Sequence, residues 1–87
     1  MEDEQITITR HYIRYVLRRY RDKADLSMHQ LADRVGISKG FYASMESGKK
    51  WPNIDMLIRI AHALNVRPGE LLDALMAEWE KAGGRLY

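Results

Sequence analysis

The chain has 87 residues and no cysteine, so it can hold one modest core but neither a disulfide nor a thiolate zinc site. Its 46% hydrophobic and 30% charged residues suit a globular domain and argue against general disorder. No apolar run approaches the roughly 20 residues needed to span a bilayer, and a net charge of +2 is too mild to name a partner without a look at where the charges lie.

The charges are unevenly placed. Glu2, Asp3 and Glu4 open the chain, in a stretch that resembles no signal peptide. Arg10, Arg14, Arg18, Arg19, Arg21 and Lys23 then form a basic block that can attract phosphate or simply make a solvated helix face. Residues 1–8 are expected to be an acidic tail. Ile6, Thr7, Ile8 and Thr9 alternate like a strand but are too few to make one. Thr9 is instead expected to cap the first helix, with Ile8 stapled to Ile13. That helix carries Tyr12, Ile13, Val16, Leu17 and Tyr20 as its apolar stripe and runs to about Ala24, ending near Asp25, where glycine would be easier.

Ser27 is a good N-cap for a second helix, with Gln30 three places on to complete a capping box and Leu26 and Leu31 placed as a staple. This helix covers about residues 28–35 and buries Leu31, Ala32 and Val35. Gly36 can take the left-handed conformation that stops it. Ser38 caps a third helix over about residues 39–47, with Tyr42 and Met45 inward and Gly48 as its stop. A turn this short, with Val35 and Ile37 pinned inward, makes the two helices cross steeply in a helix-turn-helix.

Asn53 can cap a fourth helix with Ile54, Leu57, Ile58, Ala61 and Leu64 on one face, and Asn65 tolerates a left-handed stop. Pro68 fits the first position of a fifth helix, with Val66 stapled to Leu71. Its stripe of Leu71, Leu72, Leu75, Met76 and Trp79 outlasts what the core requires, until Gly83 and Gly84 end it. The stripe either folds back on Tyr12 and Val16 as core or, in part, meets a second copy, with Leu75, Met76 and Trp79 as the candidate homodimer contacts. The expected fold is all-α: a five-helix bundle with a helix-turn-helix in helices two and three and an extended C-terminal helix. One domain fills residues 9–82, and residues 83–87 form a second tail.

From about Leu17 to Leu72 the chain resembles the phage-repressor and Cro type of helix-turn-helix domain, also called XRE-like. The resemblance is carried by Leu17-Arg18-x-x-Arg21, Leu26-Ser27-x-x-x-Leu31-Ala32, Val35-Gly36-Ile37-Ser38 and Met45-Glu46-Ser47-Gly48-Lys49. Pro52, Ile60-Ala61-x-Ala63-Leu64 and Leu71-Leu72 follow in order. It implies a repressor-like fold, double-stranded DNA as partner, residues 28–47 as the reading motif and the third helix as the recognition helix. It also implies that Arg21 and Glu46 form a buried ion pair, and that the loop carrying Lys49 and Lys50 meets backbone phosphates.

Helical geometry independently puts Gly40, Ser44 and Ser47 opposite Tyr42 and Met45, flanked by Lys39, Phe41 and Ala43. Lys39, Gly40, Phe41, Ser44 and Ser47 are accordingly the candidate base contacts. They include no Asn, Gln or Arg for bidentate readout, so phosphate contacts and DNA shape should carry a larger share of binding. Ser27, Met28, His29 and Gln30 at the amino end of helix two, together with Lys49 and Lys50, are the candidate phosphate contacts. Met28 stands where the family often has glutamine, so that side-chain contact is lost. Trp51 either stacks on sugar or covers the core.

The expected function is a cytoplasmic transcriptional regulator, a repressor that binds operator DNA as a homodimer, without cofactor or metal. His11, His29 and His62 fall on three separate helices without ligand spacing, and no nucleophile is visibly paired with a base, so an enzyme is not expected. The competing reading is a protein-interaction module, or an antitoxin or accessory regulator that binds a partner protein through the same fold.

Overall fold

A computed structural model describes residues 4–84, with side chains from residue 8 onward. Five helices follow one another: α1 (Glu4–Lys23), α2 (Met28–Val35), α3 (Lys39–Glu46), α4 (Ile54–Ala63) and α5 (Pro68–Lys81), with no strand among the described residues. Residues 1–3 and 85–87 of the two expected tails lie outside the described residues.

The start of α1 differs from expectation. Thr9 lies within the helix rather than capping it, because α1 already begins at Glu4. The β-branched run at residues 6–9 costs a helix only a few tenths of a kcal/mol per residue, whereas extending an existing helix adds a backbone hydrogen bond per residue. Propagation prevails over local preference.

The other boundaries follow local chemistry. Asp25 (φ 59°) and Asn65 (φ 60°) adopt the left-handed conformation after α1 and α4, and short polar side chains tolerate it better than most. Gly36 (φ 89°) ends α2, with its N–H and that of Ile37 both donating to the Ala32 carbonyl at 2.8 and 3.0 Å, a Schellman closure. Asn53 caps α4 by accepting from the Met56 N–H at 2.8 Å. Pro68 opens α5 after Arg67, which makes no side-chain cap.

One core joins all five helices. Ile13, Val16 and Leu17 of α1, Leu31 of α2, Tyr42 and Met45 of α3, Ile60 and Ala61 of α4 and Leu71 of α5 have no exposed surface. Two surface assignments change. In α4 and its C-cap the inward row is Leu57, Ile60, Ala61 and Leu64, whereas Ile54 and Ile58 are 59% and 45% exposed. At 100° per residue those two isoleucines sit on the edge of the stripe, where the neighbouring helices cover them only in part.

In α5, Leu75 packs into the core and is not free to meet another subunit, and Leu72 faces outward instead. Met76 and Trp79 are half-buried. The turn after α5 folds back over Trp79, and Gly84 lies so close to the indole that a side chain there would clash. At the α1–α5 seam, Arg19 pairs with Glu78 at 2.7 Å and the Tyr20 hydroxyl donates to Glu70 at 3.0 Å.

Candidate nucleic-acid interface

The amino end of α2 is closed by its own capping box. Ser27 Oγ accepts from the Gln30 N–H at 3.0 Å, and Gln30 Oε1 accepts from the Ser27 N–H at 2.9 Å. Ser27 Oγ and Gln30 Oε1 thus act here as acceptors, which leaves the Ser27 hydroxyl proton and the Gln30 Nε2 amide as donors. Met28 and His29 are the first two residues of the helix, so their N–H groups have no intrahelical acceptor and remain free for an anion. The Met28 side chain packs against the core, while the His29 imidazole is exposed, 3.6 Å from Asp33.

At the other end of α2, Arg59 of α4 donates through Nη2 to the Val35 carbonyl at 2.9 Å. This bond ties the turn between α2 and α3 to α4. Sequence reasoning missed it; the only local hint is a cation interrupting the apolar pattern of α4.

α3 begins at Ser38, whose Oγ accepts from the Phe41 N–H at 3.0 Å. Lys39 and Gly40 are exposed, and a Cβ built on Gly40 meets nothing within 4 Å. Ser44 is half-buried and Ser47 exposed; Ser47 is the C-cap of α3 rather than its last residue. Ser44 Oγ donates to the Phe41 carbonyl at 2.6 Å and Ser47 Oγ to the Ser44 carbonyl at 3.1 Å. Both hydroxyl protons are therefore committed, and each oxygen keeps only its acceptor capacity.

Phe41 is half-buried against the core, with the Lys50 ammonium 5.5 Å above its ring. Gly48 (φ 86°) turns the chain out of α3, and the Lys49 and Lys50 N–H groups both donate to the Ser44 carbonyl at 3.0 Å. The loop is thus suspended from the end of α3 with both lysine side chains exposed. Phe41, Lys49, Lys50 and Trp51 line a shallow open cleft of about 220 Å³.

A polar network beneath α3 sets its orientation. Arg21 grips Glu46 with two bonds, Nε to Oε2 at 2.6 Å and Nη2 to Oε1 at 3.0 Å, and donates to the Leu26 carbonyl through Nη1 at 2.8 Å. The Tyr42 hydroxyl adds a third bond to the carboxylate, at 2.6 Å to Oε2. Only 14% of the Arg21 side chain and 9% of the Glu46 side chain remain exposed. The network spans α1, the loop before α2, and α3. The tyrosine's part in it was not legible in the sequence, where Tyr42 stands only as a core residue.

Burial, and then the neighbouring Glu46 carboxylate, hold the Tyr42 phenol well above its ordinary 10.0. Between the unfolded and folded values the unfolded chain loses a proton that the folded protein keeps, so this contribution is complete below pH 10 and is lost as pH rises beyond it. Tyr20, raised by burial and Glu70, acts in the same direction. Thermal melts from pH 8 to 11 should show falling stability above pH 10, and the fall should be shallower in Tyr42→Phe. An identical slope in the variant would exclude Tyr42 as its source.

Comparison with known proteins adds four findings. The Helix-turn-helix family profile matches residues 17–71. An uncharacterized HTH-type transcriptional regulator of Mycobacterium tuberculosis is 42% identical over 50 residues, covering 58% of this chain and 36% of its own length. The HTH-type transcriptional regulator SlrR of Bacillus subtilis is 33% identical over 70 residues, covering 79% of this chain and 46% of its own. The chain therefore spans less than half the length of these relatives. Among solved structures, the clp gene regulator ClgR from Corynebacterium glutamicum superposes with a TM-score of 0.79 over 85% of this chain and 79% of that one, at 22% identity, a likeness of fold.

Proposed function

This chain belongs to the helix-turn-helix family, and from that premise we propose that it binds operator DNA as a homodimer, placing α3 in the major groove, and represses by occluding a promoter. The observation that carries the reading is the open outer face of α3, where Lys39 and Gly40 stand clear at its amino end and the exposed lysines of the following loop flank its carboxyl end. Lys39 is suited to guanine O6 and N7, and Phe41 to a thymine methyl. Ser44 and Ser47, with their protons already donated, are suited to accept from the amino groups of adenine or cytosine. Lys49, Lys50 and the free N–H groups of Met28 and His29 meet backbone phosphates, joined by the donors of Ser27 and Gln30, whose oxygens hold the end of α2 in place.

Homodimerisation follows from the size of the unit. One recognition helix reads about one half-site, and two-fold pairing spaces two of them by roughly 34 Å. With Leu75 in the core, the outward Leu72, Ile54 and Ile58 are better placed than Leu75 to join Met76 and Trp79 in that contact. The reading involves no reaction and no bound cofactor. No helix among the described residues is long and apolar enough to cross a membrane.

The test is selection of bound duplexes from a random pool, then binding across a salt series. Lys39→Ala should weaken the selected sequence more than unrelated DNA. Lys49→Ala and Lys50→Ala should weaken both alike, each lowering the log–log salt slope by about 0.9. Binding that ignores salt and all three substitutions would favour a partner protein as the ligand of this face.

A further inference from the structure

We propose that Arg10 and Arg14, carried by α1, join Lys49 and Lys50 in a four-cation clamp on the DNA backbone at the carboxyl end of α3. The inference rests on the DNA-binding reading and extends it to two residues outside the helix-turn-helix itself.

Arg10, Arg14 and Arg21 lie within about 40° of one another around α1, a ridge turned toward α3. Each meets the chain at a successive point as it leaves that helix. Arg21 holds Glu46, Arg14 reaches the Ser47 carbonyl at 3.5 Å, and Arg10 sits 5.1 Å over the Trp51 ring. Only the first of these contacts neutralises the arginine. No carboxylate lies within salt-bridge distance of Arg10, Arg14, Lys49 or Lys50 among the side chains described.

Arg14 is also incompletely satisfied. Its Nε is buried without a hydrogen-bond partner, its bond to Ser47 is long, and its other terminal nitrogen donates to the Tyr15 hydroxyl at 3.1 Å. Gly48 makes room for it: a Cβ there would come 2.8 Å from Arg14 Nη1. Glycine at this position thus serves the turn and the close approach of a guanidinium.

Four like charges on one small surface repel one another, and a polyanion relieves that repulsion. The intervening apolar surface, Trp51 under Arg10 and Phe41 under Lys50, suits a deoxyribose between phosphates. A cationic rim flanking the recognition helix is the arrangement that fixes register on a duplex without reading sequence.

The test compares wild type, Arg10→Gln, Arg14→Gln, the double glutamine variant and the double lysine variant on a selected and an unrelated duplex. The double glutamine variant should lower the salt slope by about 1.8, a loss of roughly 60-fold at 0.1 M salt that shrinks toward 1 M. The preference between the two duplexes should not change, and the lysine variant should keep the wild-type slope. A wild-type slope in the double glutamine variant, or an equal loss in the lysine variant, would overturn the clamp while leaving the DNA reading intact. Failure of wild type to bind any duplex removes both. Should Arg14→Gln unfold, neutral methylphosphonate linkages scanned along the selected duplex still decide. Wild type should lose affinity at a flanking position to which the exposed-site variant Arg10→Gln is indifferent, and equal sensitivity of the two proteins at every position would refute the proposal.

Discussion

Replacing Arg21 with methionine should lower the free energy of unfolding by about 3 kcal/mol, the lower part of the range for breaking a buried ion pair. The cost comes mainly from what is left behind. Glu46 would keep only the Tyr42 hydroxyl as partner while remaining 9% exposed, and the Leu26 carbonyl would lose its donor. The lower part applies because 14% of the guanidinium side chain still meets water, which softens desolvation. The double variant Arg21→Met/Glu46→Leu should recover part of the loss, because it removes both charges rather than stranding one. Denaturant unfolding of the two single variants and the double closes the cycle. Additive changes would mean that the bidentate geometry contributes nothing to stability. Because the pair anchors α3 to α1, DNA affinity should fall in Arg21→Met even at temperatures where the fold persists.

Gly40→Glu should separate folding from binding by moving them in opposite directions. Gly40 is the second residue of α3, and a Cβ there has open space around it. Glutamate has the higher helix propensity, and a carboxylate in the first turn is favoured by the helix dipole, so the variant should be more stable by about 0.5–1 kcal/mol. The same carboxylate would face DNA across the surface assigned to base contact. Binding should drop by at least about tenfold, the size of one misplaced base contact, with like-charge repulsion added. Thermal melting and a mobility shift measure the two effects. Undiminished binding with raised stability would mean that α3 does not enter the groove at this point, and attention would pass to a partner-protein face.

The two substitutions act on opposite sides of one short helix. Arg21 and Glu46 decide how α3 is held, and Gly40 decides what its free face presents. An eight-residue helix is too short to persist by itself. Its orientation therefore depends on packing through Tyr42 and Met45 and on the ion pair, while its outer face is left free to vary.

The sequence alone determined the helix order, the caps and the place of the turn. Ser27 with Gln30, Ser38 with Phe41, Asn53 with Met56 and the left-handed Gly36 and Asn65 all act within a few residues of themselves. Such chemistry needs no knowledge of distant chain. The exception at that level is Thr9, where a plausible local cap yielded to propagation of a longer helix. Tertiary structure decided which edge residues found cover: Leu75 did, and Ile54 and Ile58 did not, although all continue an apolar stripe. It also decided the contacts of Tyr42 with Glu46, Arg59 with Val35 and Arg14 with the loop at Gly48, which bridge separate turns or separate helices. Periodicity reports the direction a side chain takes from its own helix axis. What stands in that direction depends on how the other helices cross, and that is a property of the packed bundle.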